Sequence, residues 1–195
     1  MSLINLALTL FIIMNSIGNC PTFLALLKDF SVQDQRRILF RETTFAFLLC
    51  IFFVFFGELL LHLLGVKNYT LTVAGGIILL LSSLEMIFSA GKSGPGSSLK
   101  QEPFIMPIAT PLLAGGALLT NVILFTQQTS KTTVSLALIM AFIPAILITT
   151  SAPYLMKYCN RRGLIALEQL VGMVLLMIGA DLLVKGFGAF IQSIR

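Results

Sequence analysis

The stretch LINLALTLFIIMNSIGNCPTFLALL, residues 3–27, is long enough to cross hydrocarbon and is broken in its middle. A span takes about 20 apolar residues, and this run holds no charged residue before Lys28. With no basic residue at its start it lacks the n-region of a cleaved secretory signal, so the run is expected to stay as a span. Its interruption is Asn15-Ser16-Ile17-Gly18-Asn19-Cys20-Pro21. Pro21 has no N–H to offer the Ile17 carbonyl, and in hydrocarbon such a group is tolerated only inside protein or beside a watered cavity.

Working outward, five further apolar runs follow, so that spans are expected near 3–27, 43–64, 70–90, 104–125, 133–156 and 169–191. The composition agrees. Of 195 residues 57% are hydrophobic and 11% charged, with a mean hydropathy of +0.98 and no Trp. A soluble domain carries about 25% charged residues, which excludes a water-soluble enzyme. Six spans use roughly 120 residues and leave nothing for an extramembrane domain. Cys20, Cys50 and Cys159 form no C-x-x-C pair, so they read as packing thiols and not as a disulfide or metal framework. No cofactor or metal is expected.

The charges orient the chain. Lys28, Arg36, Arg37, Arg41, Lys92, Lys100, Lys157, Arg161 and Arg162 fall in the first, third and fifth connections, against Lys67, Lys131 and Arg195 on the other side. The positive-inside rule then places those three connections in the cytoplasm and both termini outside. The net charge of +5 is therefore a topology signal, and no nucleic-acid partner is expected. Ser89–Gln101 is the one Gly/Ser/Pro-rich stretch. It divides the chain into residues 1–91, a cytoplasmic linker over 92–103, and residues 104–195. Its Gly91-Lys92-Ser93 lacks the earlier Gly of a phosphate loop, because that position is Met86.

The two halves repeat one another. Val73-Ala74-Gly75-Gly76-Ile77 and Leu170-Val171-Gly172-Met173 open the third and sixth runs alike, and Glu85 follows Gly76 at the distance at which Asp181 follows Gly172. The fourth run is interrupted like the first, by Pro107-Ile108-Ala109-Thr110-Pro111-Leu112-Leu113-Ala114-Gly115-Gly116. Three spans are an odd number, so the second copy enters from the opposite side. The expected fold is an all-α polytopic membrane protein of two inverted three-helix repeats with broken helices 1 and 4. In such folds substrate binds near the midplane at the breaks. Asn15, Gly18, Asn19 and Thr22 share a face if helical geometry persists. The site expected from these breaks is Asn15, Gly18, Asn19, Pro111, Gly115 and Gly116, with interhelical packing as the competing role for the amides and small residues.

These segments, together with Phe56-Gly57-Glu58-Leu59, Ala74-Gly75-Gly76 and Lys185-Gly186, resemble the MarC family of integral membrane proteins, itself similar to the lysine-exporter-like transporter superfamily. The resemblance covers nearly the whole chain. Ser16, Gly116 and Lys185 stand where the family pattern has Pro, Pro and Asn. It implies a transporter architecture without naming a substrate.

Ionisable groups inside spans are functional candidates. Glu85 and Asp181 are the candidate coupling acids; Asp181 and Lys185 stand one turn apart, acid first, as in a helical ion pair. Glu58 and His62, also one turn apart, lie near the outer end of their span, where side chains reach water. His62 is the one His, so H-E-x-x-H is absent, as is G-x-S-x-G; no enzyme is expected. The expected function is a gradient-driven transporter or exporter of a small solute in a bacterial inner membrane, working by alternating access. The alternative is a non-transporting scaffold or assembly partner, and the oligomeric state is open.

Overall fold

The computed structural model describes residues 2–20, 23, 27, 29–89, 115–158 and 161–194. Among these, every regular element is a helix: α1 (Leu3–Met14), α2 (Val32–Leu64), α3 (Asn68–Ser89), α4 (Gly116–Gln128), α5 (Lys131–Tyr158) and α6 (Arg161–Ile194). Four of them, α2, α3, α5 and α6, are long and apolar enough to cross a membrane. The order of lengths is short, long, long, then short, long, long. The two short helices come from the two interrupted runs. At 1.5 Å per residue, the 12 residues of α1 and the 13 of α4 reach about 18–20 Å, less than the hydrocarbon thickness of about 30 Å.

The sequence places the second span at 43–64, yet α2 begins at Val32. Its first turns hold Arg36, Arg37 and Arg41, which hydropathy reads as a connection. Ser31 caps this end: its hydroxyl accepts from the Asp34 N–H at 3.2 Å and donates to the Asp34 carboxylate at 2.6 Å. A cap with an acid in the first turn offsets the free N–H groups there. Gln35 then holds the incoming chain, donating to the carbonyls of Leu27 at 2.9 Å and Phe30 at 3.1 Å. Similarly α6 begins at Arg161, ahead of the expected 169. By contrast α3 and α5 match their expected spans to within two residues.

α1 packs on α5 and α4, and α2 on α5, around a core that includes Leu6, Leu10, Met14, Leu39, Leu138 and Phe142. Phe47 meets Phe142 edge to face at 5.2 Å, and the hydroxyls of Thr43 and Thr149 bond at 3.2 Å within the α2–α5 contact. α5 carries Pro144 and Pro153 inside its helix, which membrane helices accept where neighbours cover the freed carbonyls. The outer surface is apolar: Phe45, Phe52, Phe55, Leu59, Leu63 and Leu147 are among the exposed large side chains, Leu63 at 82%. In water that would be an aggregation surface; in lipid it is the solvated face.

α3 and α6 form the most extensive helix pair, antiparallel and closely approached. Gly172, Gly179 and Gly186 recur every seven residues along α6. A Cβ built on Gly172 would meet the Ser83 carbonyl at 3.3 Å, one on Gly179 the Gly76 carbonyl at 3.1 Å, and one on Gly186 the Tyr69 carbonyl at 3.4 Å. The partners descend α3 by sevens as the glycines climb α6. Gln169 donates to the Ile87 carbonyl at 3.2 Å at one end, and Tyr69 meets Phe190 at 5.4 Å at the other. Only residues without a side chain permit such backbone approach, the usual device of helix pairs in lipid.

Candidate functional site at the end of α1

α1 stops because Asn15 turns left-handed, at φ 49° and ψ 40°; among the described residues it is the sole non-glycine at positive φ. Asparagine tolerates this region better than most residues because its short amide bonds locally. The Asn15 N–H donates to the Ile12 carbonyl, so the Phe11 carbonyl loses its regular helical donor. The chain then coils on: Asn19 N–H reaches the Asn15 carbonyl at 3.1 Å, Cys20 N–H the Ile17 carbonyl at 3.2 Å, and Phe23 N–H the Asn19 carbonyl at 2.9 Å. Asn15 and Asn19 are therefore one turn apart, although the regular face expected through them is bent at Asn15. Thr22 lies outside the described residues.

The amides are placed by their neighbours. The Asn15 carboxamide lies over Gly18, where a Cβ would come within 2.7 Å of Nδ2; this close approach is what requires glycine there. Asn15 Nδ2 donates to Met86 Sδ on α3 at 3.1 Å, a weak acceptor. Asn19 Nδ2 donates to the Met14 carbonyl at 3.4 Å, covering one carbonyl of the α1 end. Two oxygens are left: Asn15 Oδ1 and Ser16 Oγ are buried with no hydrogen-bond partner, and Ser16 is 1% exposed. A buried polar atom without a partner costs about 1–3 kcal/mol, and here two lie on adjacent residues.

The second interruption is described only at its far end. Pro111 lies outside the described residues. Gly115 is the N-cap of α4, extended at φ −60° and ψ 161°, with no side-chain cap on the helix N–H groups. A Cβ on Gly116 would meet Ile78 Cδ1 of α3 at 3.0 Å. Asn15 thus touches α3 at Met86 and Gly116 touches it at Ile78, two turns or about 12 Å apart along that helix.

The ionisable candidates lie elsewhere. Glu85 is exposed on α3. Asp181 and Lys185 pair at 2.6 Å, with side chains 58% and 67% exposed, on the side of α6 opposite the glycines that face α3. Glu58 and His62 line a cavity of about 430 Å³ with Lys67, Asn68, Tyr69 and Gln127, where the α2–α3 turn meets the end of α4. Among the described residues no group of three His, Cys, Asp or Glu side chains could hold a metal ion. Sequence reasoning missed Met86 as the Asn15 partner, which no spacing announces, and the pairing of Gly179 and Gly186 with α3. Their sevenfold spacing from Gly172 was the available signal.

Long apolar helices with lipid-facing surfaces and a polar break held among them define a polytopic helical membrane protein. A family model described as "MarC family integral membrane protein" matches residues 1–191. The chain belongs to the MarC family. It is 33% identical over 194 residues to the UPF0056 inner membrane protein YhgN of Escherichia coli K12, covering 98% of each chain. It is 32% identical over 193 residues to a UPF0056 membrane protein of Buchnera aphidicola from Schizaphis graminum, again 98% of each. A UPF0056 membrane protein of Chlamydia pneumoniae is 30% identical over 187 residues, covering 94% of this chain and 93% of that one. No solved structure matches.

Proposed function

We propose that this chain is an inner-membrane transporter or exporter of a small solute, driven by a gradient and working by alternating access between two inverted three-helix halves. The observation that carries the reading is the pair of buried, unpartnered oxygens at the left-handed end of α1. If Asn15 served as packing glue, its amide would bond across helices to a strong acceptor; it instead reaches a thioether, a weak one.

The inverted repeat is supported by the α3–α6 register. The offset that carries Gly76 onto Gly172 also carries Ser83 onto Gly179. Applied in both directions, it turns the Gly76–Gly179 contact into the Ser83–Gly172 contact, one heptad along the same interface. Leu79 and Leu175 are related by that offset too, and both are 1% exposed. A twofold axis in the membrane plane produces such exchange, and it is the hallmark of inverted-topology transporters. The uncapped start of α4 and the end of α1 present helix poles of opposite sign. Cytoplasmic first, third and fifth connections and external termini complete the reading, and no enzymatic step forms part of it.

The test is transport per folded molecule. Asn15→Ala confounds two effects, because alanine in the left-handed region costs about 1–2 kcal/mol. Asn15→Gly keeps the conformation and removes the amide. Asn15→Gly and Asn19→Ala should lose transport at unchanged folded yield. Activity falling only in step with folded protein would favour packing glue and remove the site.

A further inference from the structure

The end of α1 is short of donors and rich in acceptors. A helix C-terminus carries about half a negative charge, and the turn at Asn15 withdraws the regular donor of the Phe11 carbonyl. Asn15 Oδ1 only accepts, and Ser16 Oγ accepts as well as donates; both are buried without partners. The amide N–H groups nearby point elsewhere, Asn15 Nδ2 to Met86 Sδ and Asn19 Nδ2 to the Met14 carbonyl. An anion would meet the Ser16 hydroxyl as a donor but also the Asn15 amide oxygen and the negative pole of α1, which repel it.

We propose that the α1 end binds a small monovalent cation through Asn15 Oδ1, Ser16 Oγ and the terminal carbonyls of α1. The site has the chemistry for it. Divalent hard cations take carboxylates among their oxygen ligands, and the segment Asn15–Cys20 contains no acid. Neutral oxygens held in a dry setting replace the hydration shell of a monovalent ion, and Ser16 is 1% exposed. Unwound backbone and half-helix C-termini are where transporter folds coordinate such ions. The proposal rests on the transporter reading for the role of the cation, either the ion whose gradient drives movement or the ammonium head of the solute. Binding itself does not depend on that reading.

The experiment is the melting temperature of the purified full chain in detergent, in sodium, potassium, methylammonium and choline chlorides at equal ionic strength. Choline is too bulky for the turn and sets the baseline. A bound cation at about ten times its Kd should raise Tm by about 3–6 °C. Sodium or potassium acting alone identifies an inorganic ion, methylammonium acting alone an ammonium head, and either supports the site. Asn15→Gly and Ser16→Ala should abolish the shift, while Asn15→Asp should lower the half-saturating concentration. Equal Tm in all four salts overturns the proposal, as does a shift that survives both substitutions. A cation shift in a protein that moves no solute leaves the site standing and removes the transporter reading. Transport without any cation shift does the reverse.

Discussion

Replacing Gly179 by leucine tests the α3–α6 interface at the middle glycine of its stripe. A Cβ at this position lies 3.1 Å from the Gly76 carbonyl, from Leu79 Cβ and from Leu80 N. Two of those three atoms are backbone, so no side chain can turn away. An ordinary contact needs 3.4–4 Å, so the helices must give by a few tenths of an ångström to admit the Cβ alone, and by more to admit the rest of a leucine. A gap of 0.5–1 Å forfeits roughly a quarter to a half of each dispersion contact, and overpacking of this kind costs about 1–3 kcal/mol. The gain from removing a helical glycine, about 1 kcal/mol, offsets part of it. Gly188 lies on the same helix with nothing within 4 Å of its Cβ, so Gly188→Leu keeps the gain without the clash. Helix signal at 222 nm followed through thermal melting in detergent should show Gly179→Leu melting about 2–12 °C below Gly188→Leu, since both variants share the gain and only the first carries the clash, with Gly188→Leu at or slightly above wild type. A Gly179→Leu protein that melts with Gly188→Leu would refute the backbone contact and with it the register that supports the repeat.

Ser193→Cys, in a chain whose Cys159 is replaced, should react with an impermeant thiol reagent applied to intact cells, since Cys20 and Cys50 are buried; reaction only after permeabilisation would contradict the orientation read from the charges. Gly18→Ala drives a methyl onto the Asn15 carboxamide, so transport per folded molecule should fall while α1 stays helical; full activity would show that the amide position is immaterial. Thr43→Val removes one partner of the buried α2–α5 hydroxyl pair. Because Thr149 keeps its bond to the Ala145 carbonyl at 2.9 Å, the cost should be about 0.6 kcal/mol, read as a small loss of Tm with specific activity intact.

Hydropathy reads the positions of α3 and α5 well, because each apolar run is bounded by turn or charged residues such as Gly65, Lys67 and Lys131. It reads the start of α2 poorly: seven of residues 32–42 are polar or charged, and what starts the helix there is the Ser31 cap, which a search for apolar runs does not weigh. The end of α1 is legible as a break, but its centre is not. Pro21 draws attention as the residue that cannot continue a helix, whereas the helix stops six residues earlier at Asn15. The acids mark the sharpest limit. Glu85 and Asp181 announce themselves by sitting inside apolar runs, yet periodicity alone cannot tell which face meets another helix, and packing puts both on exposed faces. The glycine stripe of α6 is visible as a spacing of seven, and only the register with α3 turns that spacing into an interface.

The most direct test of the central claim, that this chain moves a solute through a site at the α1 break, is an untargeted comparison of solutes inside and outside cells with and without the protein. The account predicts that one solute or a small related group redistributes, that wild-type protein restores the original distribution, and that Asn15→Gly, folded and inserted in equal amount, does not. Identical solute profiles in the two cell types, or full restoration by Asn15→Gly, would contradict it.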